Sequence, residues 1–220
     1  MEDFTRPLLE LWQKVSPQSN THPNDAQLLN SVHHNLQLGR EPEPWFGIPS
    51  KAKVFYLTLN PNHDSTDKGT TESLWQKYCY DMMKGNVSRD RFVQEAPPSA
   101  TQWLSRAHGK YAHTAFYLIC NLRLVAYPSS GKEDMRQLSN RLDQLHTTTF
   151  IRKFVHSELV PRAKRGEIAL LVLRSAKEWG FVQQEKDVVD GSLIISKPGV
   201  RRISVSPGSR FANHIRPFLE

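Results

Sequence analysis

The stretch Lys53–Asn62, KVFYLTLNPN, decides the fold. Lys53 to Leu59 is short, apolar and rich in residues that favour strands. A run without polar alternation suits a strand buried on both faces, the situation in a parallel sheet. Asn60-Pro61-Asn62 ends it abruptly. A second such run is Ala115 to Leu122, AFYLICNL, and a third is Ile168 to Leu173, IALLVL. Shorter strand signals lie at 192–196 and 202–206. Helical patterns fill the intervals at 5–15, 25–37, 71–85, 88–95, 100–108, 133–145 and 148–164, with a short helical piece through Trp179. Asp25 is the expected N-cap of the second helix and Gly39 its stop. Residues 38–50, LGREPEPWFGIPS, are too rich in Pro and Gly for a regular helix. Strands alternating with helices imply β-α units and an α/β fold. The expected architecture is a three-layer α/β/α sandwich with a central, mainly parallel sheet of about four strands. Residues 1–220 are expected to form a single domain, with 1–40 as a helical N-terminal extension. Ligands bind beyond the carboxyl ends of strands in such sheets. That rule points to Asn60, Asn121, Arg174 and Ser206.

Composition sets the outer bounds. The chain has 220 residues, 38% of them hydrophobic, with five Trp and ten Phe, which excludes a wholly disordered chain. No apolar run reaches the roughly 18 residues of a membrane span. The opening MEDFTRPLLELWQKV lacks the basic start and cleavage site of a signal peptide. Two cysteines, Cys79 and Cys120, cannot build a disulfide framework or a four-cysteine metal site. A cytoplasmic home is expected, with no membrane partner. The net charge is +7 and unevenly spread. Residues 1–150 hold 16 Lys+Arg against 15 Asp+Glu, while residues 151–220 hold 13 against 7. A basic face of this kind favours a polyanion.

Several chemistries lack their signatures. Ser129-Ser130-Gly131-Lys132 has neither the first glycine nor the final Ser/Thr of a phosphate-binding loop. GxGxxG, GxSxG and HExxH are absent. Neighbouring residues on a helix point about 100° apart, so His33-His34 is a poor metal pair. No carboxylate cluster stands at the strand ends to hold two metals. Kinase, NAD enzyme, serine hydrolase and zinc deaminase readings are therefore disfavoured, and no metal or organic cofactor is expected.

The strand-end pattern resembles the uracil-DNA glycosylase superfamily. Val54 to Asn62, VFYLTLNPN, is similar to that family's first motif, in the Asn-Pro form of its mismatch-specific branch. Leu118 to Leu122, LICNL, resembles the middle strand that ends in a base-reading asparagine. Val205 to Ser209, VSPGS, resembles the second motif, a loop that grips DNA and touches the base. The stretch 170–180, LLVLRSAKEWG, looks like the strand and turn preceding that loop. The likeness spans about residues 44–215 in order and spacing.

This resemblance implies a monofunctional DNA N-glycosylase that flips a pyrimidine from double-stranded DNA and leaves an abasic site. Asn60 and Ser206 are then the catalytic residues. Asn60 has an amide that orients water rather than a base that deprotonates it. Asn121 pairs with the pyrimidine edge, its amide offering both donor and acceptor. Phe46 is the favoured stacking aromatic, ahead of Trp45 and Tyr56. Ser209, Arg210, Arg201 and Arg202 are assigned to backbone phosphates. The likeness is imperfect. Ser206 stands where the family often has His or Asn, and His214 downstream is the candidate substitute. Asn62 stands where the uracil-specific branch has Tyr and the mismatch branch Gly. An open C5 side, with Asn62 and His63 as polar contacts, suggests a C5-modified pyrimidine. Glucosylated hydroxymethylcytosine in phage DNA is the example, and an anti-phage glycosylase the relative this would most resemble. The alternatives are a uracil or mismatch glycosylase of base-excision repair, and a non-catalytic nucleic-acid-binding module of the same fold. A nuclease or phosphoribosyl-type enzyme on a similar α/β sheet, with a metal or phosphate requirement, is a third. A monomer is expected.

Overall fold

A computed structural model describes residues 3–32, 34–61, 71–95, 105, 116–129, 138–172, 175–197 and 211–220. The chain weaves two compact units. One comprises Met1–Pro44, Asn60–Ser99 and Arg123–Lys153, and the other Trp45–Leu59, Ala100–Leu122 and Phe154–Glu220. Among the described residues, no helix is long and apolar enough to cross a membrane.

Among the described residues, the second unit carries a mixed sheet of six strands. In chain order these are β1 (Trp45–Phe46), β2 (Val54–Thr58), β3 (Ile119–Arg123), β4 (Ala169–Val172), β5 (Val188–Asp190) and β6 (Leu193–Ile195). Their order across the sheet is β1-β3-β2-β4-β6-β5. The pairs β2–β4 and β4–β6 are parallel. The pairs β1–β3 and β5–β6 are antiparallel. The architecture is therefore mixed α/β, with six strands in place of about four. The extra strands are the two edges. An edge strand needs no continuous apolar run, because one side of its ladder faces no neighbour. Two residues in a Pro-rich segment and a half-exposed VVD gave no such run. By contrast Val54 to Leu57 and Ala169 to Val172 are all buried, as apolar runs at the sheet centre should be. The expected strand at 202–206 lies outside the described residues.

A helical turn at 116–118 precedes β3, which then runs to Arg123. Asn121 is thus the third residue of five, not the strand's end. Pairing with β1 extends β3: Trp45 faces Leu122, and Phe46 faces Asn121. Before β4 the chain forms a π turn at Val155–Leu159 and a helix at Val160–Lys164. Pro161 offers no N–H and its ring crowds the carbonyl four residues back. The wider turn just before it, in which the Val160 N–H donates to the Val155 carbonyl, accommodates that loss. The Val160–Lys164 helix lies against β4 and β6.

The first unit is helical. Its elements are α1 (Arg6–Trp12), α2 (Pro23–Ser31), α3 (Thr71–Met83), α4 (Arg89–Glu95) and α5 from His146, which ends at Phe154. Leu8, Leu11 and Trp12 form the buried stripe of α1, at the spacing of one helix face. Trp75 and Tyr78 of α3 stack at 5.1 Å, and both meet Phe92 of α4. The N-cap of α2 is His22 rather than Asp25. Its Nδ1 accepts from the Asn24 N–H, and Pro23 takes the first helical position, where its missing donor is no loss.

Asp25 caps a different helix. Its carboxylate is fully buried and accepts from the Thr147 N–H at 3.2 Å, the Thr147 hydroxyl at 2.5 Å and the Tyr127 hydroxyl at 2.8 Å. A carboxylate at the start of α5 satisfies an orphan amide and faces the positive end of the helix dipole. Tyr127 also accepts from the His22 N–H, so α2, Tyr127 and α5 are tied at one point.

His22 is fully buried and stacks on His146 at 5.5 Å. Its pKa lies below 6.5, first because burial penalises the cation, with His146 and Lys14 adding repulsion against the opposing pull of Asp25. Nδ1 is an acceptor, so protonation there breaks the α2 cap. A depressed histidine stays neutral in the fold while the unfolded chain takes up a proton. Its contribution to stability is whole above about pH 6.5 and is lost as pH falls below that value. The melting temperature should drop between pH 7 and pH 5 by more in the wild type than in His22→Asn, which keeps a capping acceptor. Parallel melting curves would show that His22 does not carry the effect.

Candidate functional site

In the sheet unit, β2 supplies Thr58, β3 supplies Asn121 and β1 supplies Phe46. The Thr58 hydroxyl donates to Asn121 Oδ1 at 2.8 Å and lies 3.3 Å from the Leu122 carbonyl. It has one proton to give, and the shorter contact takes it. Asn121 is 8% exposed, so its amide is held in a largely buried position. Among the described residues, nothing accepts from its Nδ2. The Thr58 contact fixes the plane of the amide, so the donor has a defined direction. The sheet does bring Phe46 and Asn121 together as register partners. The Phe46 ring is buried and meets Phe116 edge-on at 6.2 Å, so little of its surface is open.

Gly47 fixes this corner. Its φ is +97°, and a Cβ there would sit 2.1 Å from the Ile119 carbonyl oxygen. Only glycine allows β1 to end this close to the start of β3.

In the helical unit, Asn60 follows directly from the sheet through Leu59. Asn60 Nδ2 donates to Ser129 Oγ at 2.6 Å and to the Pro61 carbonyl at 3.2 Å. The Ser129 N–H donates to the same Pro61 carbonyl at 3.2 Å. Ser129 is itself placed by an antiparallel bridge to Leu36, and the Gln37 N–H donates to the Pro128 carbonyl at 2.9 Å. Among the described residues, Asn60 Oδ1 has no partner.

The same unit holds Glu41, Glu43 and Cys79, with one ligand atom from each within 4.8 Å of the others. The Cys79 thiol is pushed well above its usual range by burial and then by the two glutamates. Both oxygens of Glu43 are already engaged, by Trp75 Nε1 at 3.2 Å and by Arg123 at 2.8 Å. This geometry reads as a part-buried ion pair beside a neutral thiol. Cys120 is also free and buried, its thiol likewise raised by burial.

Asn62, His63, Arg174, Arg201, Arg202, Ser206, Ser209 and Arg210 lie outside the described residues. His214 is exposed on the short helix Ala212–Ile215. Residues 154–220 carry 11 Lys+Arg and 7 Asp+Glu, and the described ones among them carry seven of each. Three of those described cations are paired: Lys164 with Asp190 at 2.7 Å, Arg165 with Glu167 at 2.6 Å and Arg162 with Glu167 at 3.0 Å.

Thr58 and Ser129 were not singled out by the sequence. Thr58 had one signal, as the only hydroxyl-bearing residue with a short side chain in the run VFYLTL. Ser129 had none beyond its place in a Pro-Ser-Ser-Gly loop. Comparison with protein-family models, curated proteins and solved structures returned no match.

Replacing Gly47 with Ala should cost about 2 kcal/mol or more, since both the positive φ and the carbonyl contact resist a methyl group. Chemical denaturation measures it. An unchanged midpoint would mean that the β1–β3 corner relaxes freely.

Proposed function

We propose that the chain is a monofunctional DNA N-glycosylase of the uracil-DNA glycosylase type. Its substrate is a flipped pyrimidine in double-stranded DNA. The observation that carries the reading is the state of the two asparagines. Among the described residues, each amide is held at one end and open at the other. Asn60 keeps an open acceptor and Asn121 an open donor.

Cleavage of an N-glycosidic bond develops positive charge on the sugar and negative charge on the departing base. Placement of water and stabilisation of charge matter more than a strong nucleophile. Asn60 Oδ1 holds the water that attacks the anomeric carbon. Asn121 Nδ2 donates to an acceptor on the base edge. Ser206 supports the departing base, and Phe46 backs the base pocket. The base must leave the stack for any of this to occur. No lysine stands at a proposed strand end, so the product is an abasic site without strand cleavage. Asn62 and His63 are assigned as polar contacts for a C5 substituent, which favours a modified cytosine such as the glucosylated hydroxymethyl form in phage DNA. Arg201, Arg202, Ser209 and Arg210 hold phosphates. The sheet is taken to be the centre of a three-layer α/β/α sandwich, in a monomer that works in the cytoplasm without metal or cofactor. The second reading is a binding module without chemistry, favoured by Ser206 in place of the family's usual His or Asn.

The test is base release from duplexes containing uracil, a G:T pair, hydroxymethylcytosine or its glucosylated form. Alkaline cleavage at the abasic site is the readout. Asn60→Ala should lower the single-turnover rate at least about 10²-fold, with DNA affinity retained. Release from no duplex would leave the binding module standing. Release of uracil alone would remove the modified-base assignment.

DNA binding gives a separate check. Replacing Arg201, Arg202 and Arg210 together with Gln should reduce the slope of log K against log salt by roughly 3, at about 0.9 per phosphate contact. An unchanged slope would place the phosphate contacts elsewhere.

A further inference from the structure

We infer that Ser129 is the positioning residue that holds the Asn60 amide with its acceptor end toward the reacting water; this rests on the proposed role of Asn60. An asparagine amide has a donor end and an acceptor end of nearly the same shape, and its last torsion is broad and two-fold. Unless something fixes it, the side chain presents either end. A serine hydroxyl alone cannot fix it, because it both donates and accepts. Here a second contact removes the ambiguity. The amide end that meets Ser129 Oγ at 2.6 Å also lies 3.2 Å from the Pro61 carbonyl. A carbonyl only accepts, so that end is Nδ2. Ser129 Oγ must then be an acceptor too, and Oδ1 is the end left open.

The holder is itself held. Ser129 is 2% exposed, and its N–H donates to the Pro61 carbonyl at 3.2 Å. Pro61 thus accepts from both partners of the contact it disambiguates. Two bonds from Ser129 close a ring around the Asn60-Pro61 turn, one through the side chain and one through the backbone. Without the hydroxyl, Nδ2 keeps only the longer contact to its own neighbour. The amide can then turn its donor end to the water, which loses the acceptor that holds one of its O–H groups in line for attack.

Three variants on the full chain test this. Ser129→Ala should lower the single-turnover rate about 10²-fold at unchanged DNA affinity and a similar melting temperature. Ser129→Cys, close in size but a poor acceptor, should show a comparable loss. Ser129→Thr, which keeps the hydroxyl, should recover most of it. The Asn60 side-chain amide protons, assigned in an NMR spectrum by their loss in Asn60→Ala, should exchange with solvent faster in the Ala and Cys variants. An active wild type with Ser129→Cys folded and at full rate would overturn the inference. So would amide exchange that does not respond to either variant, whether or not any duplex is cleaved. A wild type that releases no base, with amide exchange responding as expected, would instead sink the glycosylase reading and leave the Ser129 hold intact.

Discussion

The five residues of β2 impose the constraint on which the sheet unit depends. They sit between β3 and β4, so both edges of the ladder must be paired. Val54 to Leu57 are all buried, so neither face can meet water. A strand enclosed in this way cannot shift by one residue without turning every side chain over. Its register with β4 is therefore fixed from Val54 opposite Ala169 to Leu57 opposite Val172. Thr58, the first residue past that block, arrives where its hydroxyl meets Asn121. The direction of the Asn121 amide is thus inherited from the placement of one apolar strand.

The helical unit has a different organising contact. Asp25 collects donors from Thr147 and Tyr127, while Tyr127 accepts from His22. A buried carboxylate satisfied by three donors is specific in geometry, since each lost donor leaves a charge uncompensated. It fixes where the segment after β3 returns, and that segment carries Pro128 and Ser129.

The central strands were legible because their burial is written in uninterrupted apolar runs. Lys53 to Leu59 and Ile168 to Leu173 each contain an observed strand. The edges were not legible, because a two-residue strand and a half-exposed hairpin leave no pattern to read. Asn121 was picked out as a strand terminus; the helical turn before it and the pairing with Phe46 place it inside the strand instead. Asp25 was recognised as a capping residue but assigned to its own helix, since a cap for a helix starting at His146 has no local signature. Asn60 was visible as an Asn-Pro stop, whereas its partner was not. A hydrogen bond between residues 69 positions apart depends on tertiary structure alone. The basic excess of the last third was visible in the counts, whereas the ion pair of Lys164 with Asp190 depends on tertiary structure.

The ring that joins Asn60, Pro61 and Ser129 also has a kinetic meaning. Its two halves meet only after a long stretch of intervening chain has been gathered, and closing a long loop carries an entropic cost before any contact repays it. Contacts of this separation tend to form late, after local helices have nucleated. The orientation of the Asn60 amide is then expected to be acquired late in folding. Any change that loosens the path between those positions, α3 and α4 included, would erode the geometry at Asn60 well before the protein as a whole unfolds.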